Sequence, residues 1–342
     1  MLKKVPVILL SGFLGSGKST LLLRMLCDAS RYELRPGVLM NEIGKQDVDG
    51  YLLQASTPDL HLAKLLDGCI CCSKKSDISA SLLQLLAQKP DVIFIELTGV
   101  ANPEEIVDAL TERELLLRVK LHTILTVLDA EHVLEYNSIF ASDKELVHTL
   151  RRQIEVADLI ILNKIDLVTD KQLSTIEKTV RKHNARSPIL RAVQSEFDMG
   201  PLFHSLREQA MQDDAPVVQN SIQRRGLAIV RREKRHDPAP PSFTRIQTVF
   251  LSVEEEVLFQ QRKLEQFLAS FGASLLRSKG HLYIGPDRKP FLMQYAGKRM
   301  NWQPSAWQDR PYLVLIGLDL DEALAERNWQ QLIDSHSARP YH

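Results

Sequence analysis

The segment Gly12-Phe-Leu-Gly-Ser-Gly-Lys-Ser19 constrains this chain more than any other. It satisfies G-x-x-x-x-G-K-[ST] in full, directly after an apolar run at Val5–Leu10 and directly before a helix-period segment at Ser19–Cys27. Glycines at these positions let a strand-to-helix turn curl until its backbone N–H groups converge on phosphate oxygens. Gly12, Gly15, Ser16, Gly17, Lys18, Ser19 and Thr20 make up the expected phosphate-binding set. Lys18 would neutralise charge on the β- and γ-phosphates during transfer, and Ser19 would offer its hydroxyl to Mg²⁺.

The remainder of the first half agrees with that start. Apolar runs at Val5–Leu10, Gly37–Met40, Asp91–Glu96, His122–Asp129, Leu159–Asn163 and Pro188–Val193 read as buried strands. Between them Ser19–Cys27, Ser79–Ala87, Pro103–Leu110 and Ser174–Asn184 carry helical periodicity. Such alternation predicts a mostly parallel sheet covered by helices on both faces. The rhythm decays after Leu206. Residues 212–242 contain Asp213-Asp214, a charged stretch from Arg231 to Asp237 and Pro238-Ala-Pro-Pro241, with a strand expected at Leu227–Arg231. Beyond it come a strand (Arg245–Ser252), a helix (Val257–Ser270), strands near Ala273–Ile284, Pro290–Tyr295 and Tyr312–Leu318, and a final helix at Asp321–Ile333. The expected fold is therefore an α/β P-loop domain over residues 1–211, a linker over 212–242 and a smaller α+β C-terminal domain over 243–342. A length of 342 residues suits two domains.

Asn163-Lys-Ile-Asp166 follows the strand Leu159–Leu162. A carboxylate at a strand tip accepts from the N1–H and exocyclic amino group of guanine, whereas adenine leaves it poorly paired. Asn163 would brace the loop, the Lys164 stem would lie along the base, and Asp166 would select GTP over ATP. Glu96-Leu-Thr-Gly99 ends another strand beside the phosphate loop. Glu96 is placed to hold the Mg²⁺ water shell, and the Gly99 N–H to approach a γ-phosphate.

Three of the four cysteines, Cys69, Cys71 and Cys72, fall within four positions after Gly68. Such a cluster can bind a soft metal, shuttle electrons or pack inertly. A disulfide between Cys71 and Cys72 would close a strained ring. Three thiolates select Zn²⁺ or Cu⁺ over Mg²⁺ and leave a fourth position open, which suits release. Cys27, alone on the first helix, is expected in its apolar face.

Lys+Arg and Asp+Glu balance at 43 each, which argues against wholesale nucleic-acid binding or a polybasic membrane patch. No segment is long enough to span a bilayer, and the N-terminal apolar run lacks a cleavage site and flows into the glycine loop. The expected compartment is the reducing cytoplasm, where clustered cysteines bind metal or act in catalysis more often than they form disulfides.

In that order, G-F-L-G-S-G-K-S, N-E-I-G (Asn41–Gly44), G-C-I-C-C (Gly68–Cys72), E-L-T-G and N-K-I-D resemble the CobW-like P-loop GTPases. Leu275–Gly280 and Arg310–Gly317 are similar to segments of that family's C-terminal domain. The resemblance implies metal homeostasis, with zinc or cobalt chaperones, metalloenzyme activators and related nickel-insertion GTPases. It implies that Cys69, Cys71 and Cys72 bind Zn²⁺, or Co²⁺ or Ni²⁺, with Glu42 as a partner, and that Asn41–Asp49 act as the first switch. Asp47 or Asp49 would orient the attacking water. No arginine finger is identifiable, so hydrolysis should be slow. A client metalloprotein would be recognised with the C-terminal domain, and the chain could pair with a second copy.

Two positions depart from the family pattern. Met40 and Lys45 stand where members carry glutamates, leaving the thiolates little carboxylate help, and the linker has only His236 where many members carry a histidine tract. His132 matches a family position and is expected to be structural, and Trp302, Trp307 and Trp329 to be core or interface. The leading expectation is a GTP-hydrolysing metallochaperone. The alternatives are a metal- or redox-sensing GTPase switch and a dedicated activator of one metalloenzyme.

Overall fold

Every residue of strands β1 (Val5–Ser11) and β4 (Val92–Glu96) is buried. That is the mark of a sheet with both faces covered, where apolar runs replace alternation. The computed structural model describes residues 4–41, 61–65, 75–138, 143–212, 244–253, 257–285, 288–296 and 299–337. With β2 (Pro36–Asn41), β3 (His61–Leu65), β5 (Val119–Asp129), β6 (Leu159–Asn163) and β7 (Ile189–Arg191), β1 and β4 form one sheet in the order β3-β2-β4-β1-β5-β6-β7. All its pairings are parallel.

Alternate residues of β1 serve opposite faces. Val7 and Leu9 join a core with Leu82 and Leu85 of α2 (Lys75–Ala87) and Ile106 and Val107 of α3 (Pro103–Leu110). Ile8 and Leu10 join Leu21, Leu22, Met25 and Leu26 of α1 (Lys18–Arg31) and Phe203 of α8 (Gly200–Gln212). Between these helices in the chain lie α4 (Arg113–Leu116), α5 (Val133–Tyr136), α6 (Lys144–Val156) and α7 (Asp170–His183). Thr169 caps α7 in a capping box with Gln172, and Asp143 caps α6.

The second sheet is antiparallel, with β8 (Ile246–Ser252), β9 (Leu275–Ile284), β10 (Lys289–Ala296), β11 (Arg299–Pro304) and β12 (Tyr312–Leu318) in the order β11-β10-β9-β12-β8. One face packs on α9 (Gln261–Ser270) and α10 (Glu322–Ser337) through Val249, Leu251, Leu315, Leu268 and Trp329. The other face places Ile246, Leu276, Val314 and Ile316 in the same cluster as Val107, Leu110 and Leu121 of the parallel-sheet unit. Arg277 on β9 reaches Glu105 and Asp108 of α3, each at 3.4 Å. Among the described residues no helix is long and apolar enough to cross a membrane.

Several expectations are corrected. Cys27 is exposed, because the buried face of α1 runs through residues 21, 22, 25, 26 and 29. The helix expected from Val257 begins at Gln261. Val257 and Phe259 are instead core residues ahead of that helix, and Phe259 bridges to Ile284. Strands β3 and β11 and helices α4, α5, α6 and α8 are not among the expected elements. The strand expected at Leu227–Arg231 lies outside the described residues.

Candidate functional site

In a parallel sheet all strands end at one rim, and the crevice opens where successive connections leave in opposite directions. Here that point is β1, flanked by β4 and β5. The phosphate loop leaves its carboxyl end. Gly17, the residue before α1, has φ 108°, and a Cβ there would lie 2.4 Å from Asn163 Nδ2. Both the left-handed conformation and the close approach require glycine.

Lys18 is buried, and its ammonium donates to the carbonyls of Gly12 (2.7 Å) and Phe13 (2.9 Å). Burial lowers its pKa from the ordinary lysine value, while the Glu96 carboxylate pulls the other way. Ser19 Oγ donates to Glu96 Oε1 at 2.8 Å, so the two residues expected to hold Mg²⁺ meet where the first turn of α1 faces the end of β4. The hydroxyls of Ser16 and Thr98 are buried with no partner among the described residues. Buried polar atoms of this kind beside a glycine loop fit a phosphate ligand with its magnesium. Gly99 also meets the loop closely, since a Cβ there would lie 2.5 Å from Leu14 N. Gln153 of α6, wholly buried, donates to Gly99 O and Ala101 O at 3.1 Å and fixes the segment that follows Glu96.

The Asn163–Asp166 turn is equally tied to the loop. Asn163 Nδ2 donates to Ser16 O at 2.8 Å, and its Oδ1 accepts from Ser195 N at 2.8 Å. Ser195 Oγ donates to Gly17 O at 3.0 Å. Lys164 has φ 60°, and its ammonium lies 2.6 Å from Asp129 Oδ2. Asp166 stands exposed at the tip of β6.

Sequence reasoning missed Ser195, Asp129 and Gln153. Ser195 and Asp129 each sit at or just after the carboxyl end of a strand, which is the only signal they carry. Asp129, Glu131 and His132 also offer ligand atoms within 4.8 Å of one another. Lys164 already neutralises Asp129 there, which disfavours a cation. His132 stacks on Tyr136, whose ring packs against Phe13 of the phosphate loop.

Met40 is a core residue, 5% exposed, and lies opposite Glu96 in the β2–β4 register. Trp329 is buried against Phe259, and half-buried Trp307 stacks on His281 and carries Arg113 over its ring. Glu42, Lys45, Asp47, Asp49, Cys69, Cys71 and Cys72 lie outside the described residues.

A family model described as CobW/HypB/UreG, nucleotide-binding domain, matches residues 6–191, and one described as Cobalamin synthesis protein cobW C-terminal domain matches 248–333. The chain is similar to the zinc chaperone YjiA of Escherichia coli strain K12, with 27% identity, 93% of this chain and 95% of that protein covered. It is similar to the zinc chaperone CobW of a Sinorhizobium species, with 27% identity, 94% of this chain and 95% of that protein. The zinc-regulated GTPase metalloprotein activator 1 of Schizosaccharomyces pombe is 34% identical over 58% of this chain and 48% of that protein. The phosphate loop after β1, Glu96 at the end of β4 and nearly all of the C-terminal sheet thus sit within those two matches, and the chain belongs to the CobW/HypB/UreG family.

Proposed function

We propose that this chain is a GTP-hydrolysing metallochaperone that binds zinc through Cys69, Cys71 and Cys72 and hands it to a client metalloprotein. Co²⁺ or Ni²⁺ could take the same thiolates. The observation that carries the reading is the meeting of Ser19 with Glu96 on the strand next to β2, whose end leads into the first switch. Asn41 and Leu65 are paired partners at the ends of β2 and β3. Glu42 follows the first directly, and Cys69 is four residues beyond the second. Four residues of chain reach at most about 14 Å. In the sequence, the first switch follows the end of β2 and the cysteine cluster follows the end of β3.

Guanine selection falls to Asp166, exposed beside a loop that Asn163 and Ser195 hold rigid. Magnesium would supply positive charge against the charge that develops on the phosphates. Ser19 and Glu96 would hold it, Lys18 would lie against the phosphates, and Gly99 would bring its N–H to the loop mouth. Asp49 is assigned to the attacking water. The relatives named as zinc chaperones support zinc as the cargo. GTP would order the switch and gather the thiolates, and hydrolysis would relax them. The test is transfer. The GTP-loaded, zinc-loaded protein should metallate an apo-client faster than free zinc at the same concentration, and a rate no faster would remove the chaperone reading.

A further inference from the structure

Sheet edges are ordinarily guarded by charge, proline or a bulge. The two edges of the C-terminal sheet differ in this respect. Strand β11, Arg-Met-Asn-Trp-Gln-Pro, carries a cation and a proline. Strand β8, Ile-Gln-Thr-Val-Phe-Leu-Ser, carries no charge and no proline, and pairs with β12 without a bulge. The Asp319 N–H donates to Arg245 O and the Val253 N–H to Pro311 O, which fixes the odd-numbered residues as those bonded to β12. Thr248 and Phe250 turn their backbone N–H and C=O outward, where they have no partner among the described residues.

That edge lines a groove of about 1010 Å³ between β8 and the parallel-sheet unit. Leu117 and Phe250, 58% and 47% exposed, are apolar groups on its walls. Its acids are Asp309, already paired with Arg113, and Glu322. Lys4, Lys120 and Arg310 also line it, all exposed and without an ion pair among the described residues. The groove therefore offers a strand template, an apolar wall and a surplus of positive charge.

We propose that this groove binds an extended, acidic segment of a partner polypeptide, which adds a strand to β8. Backbone bonds to Thr248 and Phe250 would hold the segment, alternate apolar side chains would meet Leu117 and Phe250, and carboxylates would meet Lys4, Lys120 and Arg310. A second copy fits less well, because pairing two such edges would oppose their cations. The assignment rests on the reading of the C-terminal domain as the part that recognises the client, and supplies the chemistry of that recognition.

The experiment uses the full chain and a fluorescein-labelled synthetic peptide of ten residues alternating glutamate and valine, followed by anisotropy. Two comparison peptides replace glutamate by lysine or alternate valines by proline. Saturable binding of the glutamate peptide is expected, with affinity about tenfold or more weaker for both comparison peptides. Lys120→Glu combined with Arg310→Glu should reverse the preference between glutamate and lysine peptides. Thr248→Pro, which removes an outward N–H and no β12 bond, should weaken binding. GTP hydrolysis of each variant reports its fold. Equal binding of glutamate and lysine peptides, or unchanged affinity after charge reversal, would overturn the proposal. So would a concentration-dependent dimer that Thr248→Pro dissociates, since it would assign the edge to a second copy. Anisotropy needs neither hydrolysis nor zinc. A failure here leaves the metallochaperone reading intact, and a failure of zinc transfer leaves the groove.

Discussion

Ser19 and Glu96, 77 positions apart in the chain, meet at 2.8 Å beside the phosphate loop. The contact joins the first turn of α1 to the end of β4 and sets a hydroxyl beside a carboxylate, oxygen donors of the kind that suit magnesium. Glu96→Gln keeps the size of the side chain and removes its charge. GTP should still bind, while kcat should fall by a factor on the order of 10² or more, the usual cost of losing one positioned electrostatic group. Steady-state hydrolysis at saturating magnesium measures it. An unchanged kcat would take Glu96 out of the reaction.

Gln153 gives a second expectation, because both of its N–H bonds go to backbone carbonyls of Gly99 and Ala101. Gln153→Ala leaves those buried acceptors unpaired, at about 1–3 kcal/mol. Calorimetry should record a lower Tm, and kcat should fall more than KM rises, since the loosened segment is the one proposed to approach the γ-phosphate. A lower Tm with unaltered kinetics would limit Gln153 to stability.

Asp166→Asn removes the carboxylate charge and replaces one of the two acceptors proposed to meet the guanine N1–H and amino group with a donor. Hydrogen bonds to a charged group contribute about 1.5–3 kcal/mol, so the Kd for GTP should rise by about tenfold or more. ATP binding should stay as weak as before. Competition of both nucleotides against a fluorescent GDP analogue separates the two. A GTP affinity that survives would place base recognition elsewhere.

Asp158 carries a pH signature. It is buried between Ile124 and Arg245, whose backbone N–H groups it accepts, and burial outweighs these bonds to push its pKa up from 3.8 to about 7. Between those values the folded state holds a proton that the unfolded chain has released. Stability from this group is therefore complete below the lower value and is lost as pH rises through about 7. Denaturant midpoints at pH 5 and pH 8 should differ more in the wild type than in Asp158→Asn. The same difference in both proteins would contradict the assignment.

The phosphate loop, the Asn163–Asp166 turn and the Glu96 strand end were legible because each is a local string whose chemistry depends on spacing. Ser195 was not, because its role depends on a left-handed backbone (φ 57°) that brings it to Asn163 across 32 residues. Gln153 reads as an ordinary helical position until its helix is packed against the loop at Gly99. Strand β11 escaped because its alternation is polar and half-exposed, with methionine and tryptophan spaced among arginine, asparagine and glutamine. Cys27 was misplaced because a helix-period segment carries more apolar residues than one face can bury.

The central claim is that nucleotide and metal are coupled, and titration of zinc into the reduced protein tests it most directly. With a non-hydrolysable GTP analogue bound, zinc affinity should exceed that of the GDP form by about tenfold, a coupling of roughly 1.4 kcal/mol. Replacing Cys69, Cys71 and Cys72 together by serine should abolish the difference. Equal zinc affinity in the two nucleotide states would contradict the account, since a ligand that binds two states alike shifts neither.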